Sequence, residues 1–195
     1  MSQKYSNSTS DFLSWDQNLI LIRRLFDDKN FKISLLISMG SFLGLRISDL
    51  LRLKWEDVLN KDHFVLIEQK TTKAREIKIN DQLQRHIEDC YKMIKPYKDE
   101  EYIFTSQKGS VFSVQRINVI FKNLKRKYNL NVQNFSSHSM RKSFGREIFQ
   151  KSGTNAELAL VKLSELFNHS NVAITKRYLG ISKDELMETY DLLEF

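Results

Sequence analysis

Helical spacing begins after a polar, Ser- and Asn-rich stretch that reaches about Ser14. Leu19, Ile22, Leu25 and Phe26 recur three or four residues apart, with Arg23, Arg24, Asp27 and Asp28 between them. That pattern predicts an amphipathic helix. The next predicted helix, about residues 31–42, is apolar nearly all round and belongs in a core. Gly44 is expected to end it, and Ser48 or Asp49 to cap a short helix through Leu53. The period changes between His63 and Ile79. Residues 64–67 read as a strand, and Glu76-Ile77-Lys78-Ile79 alternates as a half-buried strand does, so the polar stretch 70–75 between them predicts a hairpin. Asp81 is expected to cap a helix to about Ile94, stopped near Pro96, the only proline. Further helices are predicted at about 113–128, 137–150, 155–167, 172–178 and 183–193. No internal repeat, low-complexity tract or Gly-rich linker interrupts the interior. The expected class is mainly α with a small antiparallel β-hairpin (α+β), formed by one domain.

Composition narrows the partners. The chain has 195 residues and a net charge of +7, with a pI near 9.4. That balance favours a polyanionic partner such as nucleic acid or an acidic membrane surface. A single cysteine, Cys90, excludes an internal disulfide, suits a reducing compartment, and reads as a small buried side chain on a helix. The most apolar run, 33–45, is too short to span a bilayer and is bounded by Lys32 and Arg46. The first ten residues contain no apolar signal-peptide core. The expectation is a soluble, cytoplasmic protein.

Several dispersed residues suit chemistry on a phosphodiester. Its charge repels nucleophiles, and its transition state places extra charge on equatorial oxygens. Planar, permanently charged guanidinium groups match those oxygens. Arg46, after a helix end, and Arg141, in His138-x-x-Arg141, are candidates for such a clamp. The His-x-x-Arg spacing turns both side chains to one helix face. Tyr178 is a nucleophile that needs no metal, but its phenol must be helped to ionise. His169 is placed to donate to a phosphate oxygen and His138 to assist proton removal. The leaving oxygen needs a proton, for which Lys70 and Lys73 on the hairpin both qualify. Each residue alone has an ordinary structural explanation, and six other tyrosines are present. His63, His86, His138, His169 and Cys90 lack zinc-like spacing, and no phosphate-binding loop or dinucleotide fingerprint occurs. No metal, nucleotide or other small-molecule cofactor is expected.

In order and context the residues do more. Gly44-Leu45-Arg46-Ile47-Ser48-Asp49-Leu50, followed by Leu51-Arg52-Leu53-Lys54-Trp55-Glu56-Asp57-Val58, resembles the first-arginine box of the tyrosine recombinase (phage integrase) family. Glu68-Gln69-Lys70-Thr71-Thr72-Lys73 resembles that family's hairpin, whose first lysine is the general acid; this favours Lys70 over Lys73. Ser137-His138-Ser139-Met140-Arg141 matches the His-x-x-Arg box. Leu166-Phe167-Asn168-His169 and the stretch to Tyr178 match the last histidine and the nucleophile. The resemblance covers roughly residues 15–182. It implies a tyrosine recombinase catalytic-domain-like fold, with Arg46, Lys70, His138, Arg141, His169 and Tyr178 as the catalytic set. Two departures stand out: Lys142 where the family often has His, and Phe167-Asn168 where it usually has Leu-Gly. Altered packing, not inactivity, is expected from both.

The resemblance implies a site-specific recombinase that cuts and rejoins double-stranded DNA through a 3′-phosphotyrosyl link, assembling as a homo-oligomer on DNA. Lys73 and Arg75 at the hairpin tip, and Lys142 and Arg146 beside the second arginine, are expected to touch DNA phosphates. The cluster Lys122, Lys125, Arg126 and Lys127 reads at least as well as a solvated face. Residues 1–14 are expected to be a flexible lead-in. Residues 183–195, strongly apolar for a chain end through Leu186, Met187, Tyr190, Leu192, Leu193 and Phe195, are expected to form a helix that docks on its own core or on a neighbouring protomer. Family members usually carry an N-terminal helical domain that closes on the other face of the duplex, and none is expected within residues 1–14. The alternative is a DNA-binding regulator that does not recombine, or a fragment that needs a partner.

Overall fold

The computed structural model describes residues 11–181. The expected helix at 183–193 and most of the expected lead-in lie outside the described residues. The chain divides into two compact units, one running to Ser143 and the other starting at Phe144.

The first unit holds α1 (Trp15–Asp27), α2 (Phe31–Leu43), α3 (Ile47–Leu50), α4 (Trp55–Val58), β1 (His63–Ile67), β2 (Ala74–Lys78), α5 (Asp81–Ile94), α6 (Val114–Lys127) and the beginning of α7 (Ser137–Lys151). Ser14 starts α1 with a reciprocal capping box: its hydroxyl accepts from the Gln17 N–H, and the Gln17 side chain accepts from the Ser14 N–H. Asn18, Leu21, Ile22 and Leu25 are the buried face of α1. Helix α2 packs with both α1 and α5 and is buried along almost its whole surface. Its all-round apolar pattern is therefore a core pattern, as expected. Gly44 ends it with a left-handed φ of 59°, a conformation that costs glycine little.

Two caps differ from expectation. Arg46, not Ser48 or Asp49, occupies the N-cap of α3. Asp49 lies inside that helix and is buried. Asn80 caps α5, its side-chain oxygen accepting the Leu83 N–H at 2.9 Å, and Asp81 falls in the first turn. At α5 the adjacent Asn80 thus satisfies an orphan N–H group of the first turn. Helix α4 was not anticipated, since four residues carry no readable period. It buries Trp55 edge-on against Tyr91 on α5, with centroids 5.1 Å apart.

Strands β1 and β2 pair antiparallel from His63 opposite Lys78 to Ile67 opposite Ala74. The Phe64–Ile77 pair is buried, so the hairpin is anchored by one face. Its turn is closed at Glu68, whose N–H donates to the Lys73 carbonyl and whose carbonyl accepts the Thr72 N–H. Cys90 is fully buried on α5, and desolvation pushes its thiol up to about 12, which fits the inert role expected of it.

The second unit comprises the rest of α7, a 3-10 turn (Gly153–Asn155), α8 (Ala156–Phe167) and α9 (Val172–Leu179). Its core is Leu160, Leu163, Phe167, Leu179 and Ile181, with Phe144, Ile148 and Tyr178 packed against it. Gly145 permits close approach: a Cβ there would lie 2.6 Å from Leu179 Cδ2 and 3.0 Å from Phe167 Cζ. Among the described residues no helix is long and apolar enough to cross a membrane.

Candidate active site

The two candidate clamp arginines share a support in the first unit. The turn that ends α2 exposes a carbonyl which the helix itself cannot satisfy. Arg141, from α7, is 4% exposed and donates from Nη1 to that Gly44 carbonyl at 2.6 Å. Arg46 follows two residues later. Residues 97 apart in sequence are thus joined through one helix terminus.

Arg46 in turn meets the hairpin. Its Nη1 donates to Glu68 Oε2 at 2.8 Å, and Arg75 Nη1 lies 3.7 Å from Glu68 Oε1. The Thr71 hydroxyl donates to Glu68 Oε2 at 2.8 Å. A second tie runs from the Gln69 N–H to Asp49 Oδ1 at 2.9 Å. The first-arginine box and the hairpin base are therefore stitched together by two carboxylates. Lys70 and Lys73 are exposed on the turn. Arg75 was expected at the tip, but it lies within β2, half-buried against Glu68. Burial pushes the Arg75 guanidinium pKa down, and the Glu68 charge opposes that shift.

His138 is exposed at the start of α7, with its backbone N–H donating to Ser136 Oγ at 3.3 Å. Partial desolvation of its ring comes first, and the charges of Arg141 and Lys142 second, in holding its pKa below the ordinary value. The residue keeps open solvent contact all the same. A neutral imidazole is the form that accepts a proton. Lys142 is only 8% exposed, so packing accounts for most of its side chain. Arg146 lies in the second unit and is half-buried.

The Lys122 to Lys127 cluster is not one uniform face. Lys122, Lys125 and Arg126 line an open cavity of about 670 Å³ together with Asn118, Gln133 and His138. No carboxylate lines it. Lys125 Nζ also donates to the Gln133 carbonyl at 2.7 Å. Lys127 points elsewhere and pairs with Asp28.

In the second unit, His169 and Tyr178 touch. Their ring centroids are 5.4 Å apart at 73°. Phe167, fully buried, meets both rings, at 5.4 Å and 5.6 Å. His169 Nδ1 is 2.9 Å from Thr175 Oγ1, and Thr175 is buried one turn before Tyr178 on α9. Asn168 has a φ of 50° at the end of α8. Asparagine tolerates that left-handed conformation better than most residues, which fits it to a place where the family usually has glycine.

Arg46 and Arg141 are therefore joined within the first unit, and His169 and Tyr178 within the second. Lys70 is tied to Arg46 only through the hairpin that carries it. Sequence reading missed three supporting residues: Glu68, Phe167 and Thr175. Glu68 carried a signal, a lone carboxylate beside a run of cations. Phe167 registered only as a departure, and Thr175 gave none.

Residues 26–185 match the phage integrase family. The chain is 32% identical over 171 residues to the probable integrase/recombinase YoeC of Bacillus subtilis, covering 87% of this chain and 88% of that one. It is 23% identical to the tyrosine recombinase XerD of Staphylococcus epidermidis, covering 96% of this chain but 63% of XerD. The fold resembles that of the XerH site-specific recombinase, solved in a post-cleavage complex on its palindromic difH substrate. There the TM-score is 0.70 at 19% identity, covering 98% of this chain and 55% of XerH. A mostly helical fold with one small hairpin, both arginine boxes in place and a match over most of its length establish that the chain belongs to the phage integrase family.

Proposed function

We propose that this chain is a site-specific DNA recombinase, acting in the cytoplasm on double-stranded DNA, with residues 15–182 as its catalytic domain. Tyr178 attacks a backbone phosphorus. The bond from phosphorus to the 5′ oxygen breaks, and the DNA 3′ end is left esterified to the tyrosine. Lys70 protonates the departing 5′ oxygen, and His138, neutral at pH 7, assists removal of the phenol proton. Arg46, Arg141 and His169 donate to the oxygens on which charge develops. A 5′-hydroxyl from another strand then reverses the step. The phosphotyrosyl ester conserves the bond energy, so the exchange is close to balanced without another energy source. Exchange between two duplexes needs further copies of the chain on paired sites.

The observation that carries this reading is the bond from Arg141 to the Gly44 carbonyl, which seats the second arginine on the segment that bears the first. Arg141 is buried against that carbonyl and Arg46, two residues beyond it, is half-buried against Glu68, which suits the pair to clamp a phosphate. Lys73, Arg75, Lys142 and Arg146 are assigned lesser parts along the DNA backbone, Lys73 foremost because it is exposed.

The test uses a pool of duplexes of randomised sequence, each nicked so that the cleaved end is lost and religation is blocked. The wild-type chain is expected to form an SDS-resistant protein–DNA adduct, and Arg46→Ala and Arg141→Ala to form far less. DNA binding with no adduct from any duplex would remove the enzyme reading in favour of a non-recombining DNA-binding regulator or a partner-dependent fragment.

A further inference from the structure

We propose that Glu68 is a positioning residue, which sets the Arg46 guanidinium for its phosphate and couples it to the turn that carries Lys70. This inference rests on the recombinase reading above and names a control element within it. Asp49 and Glu68 are the acidic side chains buried among the described residues. Burying a carboxylate is costly unless it is paired and hydrogen-bonded. Glu68 meets that cost with Arg46, Arg75 and the Thr71 hydroxyl.

A carboxylate is an odd neighbour for a phosphate clamp, because its charge repels the phosphate that Arg46 is to bind. Affinity alone would omit it. Geometry explains it better. A guanidinium has its five donors in a rigid planar fork, so fixing one nitrogen fixes the direction of the others. Glu68 holds Nη1 at 2.8 Å and thereby orients that plane.

The same residue closes the hairpin turn through both of its backbone groups, to Lys73 and from Thr72. A shift of the turn that delivers Lys70 to the leaving oxygen therefore reaches Arg46 through one residue. The parallel bond from Gln69 to Asp49 keeps the turn base in register during that shift.

The test compares Glu68→Gln and Glu68→Asp with wild type, Lys70→Ala and Tyr178→Phe. All are full-length and checked by thermal melting. Adducts recovered from the randomised nicked pool are sequenced to give one defined substrate, made with either a normal 5′ oxygen or a bridging 5′ sulfur. A thiolate leaves without protonation far more readily than an alkoxide, so the sulfur substrate restores Lys70→Ala. Glu68→Gln is expected to melt as a folded protein and to saturate with DNA as the wild type does or more tightly. Its maximal cleavage rate is expected to fall by about a hundredfold, as for a misplaced reacting group. Sulfur is expected not to restore it, and Glu68→Asp to recover part of the rate.

Glu68→Gln cleaving at the wild-type rate overturns the proposal. So does a defect confined to melting temperature or to half-saturation, or one that sulfur fully restores, which would place Glu68 behind Lys70 and not Arg46. A wild-type chain that forms no adduct overturns the recombinase reading and this inference with it.

Discussion

The rings of His169 and Tyr178 meet edge to face with their centroids 5.4 Å apart, and Phe167 braces both. The His169 ring is further held by Thr175, one turn before the tyrosine on α9. The candidate phosphate-oxygen donor and the candidate nucleophile are thus ordered by the same small core. The bulky Phe167, where the family usually has leucine, adds ring faces to that core.

Shrinking that brace should therefore cost both stability and chemistry. Phe167→Ala is expected to destabilise the fold by about 3 kcal/mol, as large-to-small core changes do, measured by urea denaturation. Phe167→Leu, which keeps most of the volume, should lose less stability yet still lower adduct yield. Full activity in Phe167→Leu would show that the ring contacts do not order the pair.

Gly145 makes a second prediction for the same unit. A methyl group there collides with Leu179 and Phe167, the neighbours of Tyr178 and His169. Gly145→Ala is expected to cost about 1–3 kcal/mol by overpacking, with loss of cleavage exceeding the loss of folded protein. An unchanged melting temperature would contradict the close packing of α7 in this unit.

Acid should weaken the protein in a defined window. His138 is depressed by partial desolvation and then by the charges of Arg141 and Lys142. His86 is depressed by burial, against a smaller opposing effect of Asp89. Each histidine binds a proton more readily unfolded than folded. Stability is then complete above the unfolded value of about 6.5 and falls as pH drops from there through the depressed folded values. Replacing His86 with Gln should flatten that slope in melts taken across the window, without moving the pH profile of cleavage. The His138→Gln variant should change the acid limb of the cleavage profile.

The acid-free cavity beside His138 suggests where DNA runs. Replacing Lys122 and Arg126 together with Gln should weaken binding to any duplex and reduce the salt slope of log K by about 1–2. Lys125 is left in place because it supports the Gln133 carbonyl. Anisotropy titrations at several salt concentrations make the measurement. An unchanged slope would return the cluster to a solvated face.

The long elements were legible because their periods run for ten or more residues, as in α1, α2, α5 and α6. Their caps were less so. Asn80 and Asp81 offer rival oxygens one residue apart, and only the backbone path chooses between them. The six catalytic candidates were legible through local motifs, but not their supports. Arg46 with Glu68, and Arg141 with Gly44, are pairings made by the fold, and no local period announces them. Arg75 was misplaced at the tip because polarity alone cannot mark where a turn ends and a strand begins.

The central claim is that Tyr178 is the nucleophile whose phenol oxygen becomes esterified to the DNA 3′ phosphate. It is tested most directly by digesting the covalent adduct and sequencing the DNA-linked peptide by mass spectrometry, alongside Tyr178→Phe and Tyr190→Phe. The predicted result is a 3′-phosphate esterified to Tyr178, abolished in Tyr178→Phe and kept in Tyr190→Phe. An adduct that persists in Tyr178→Phe, or that maps to any other side chain, would contradict it.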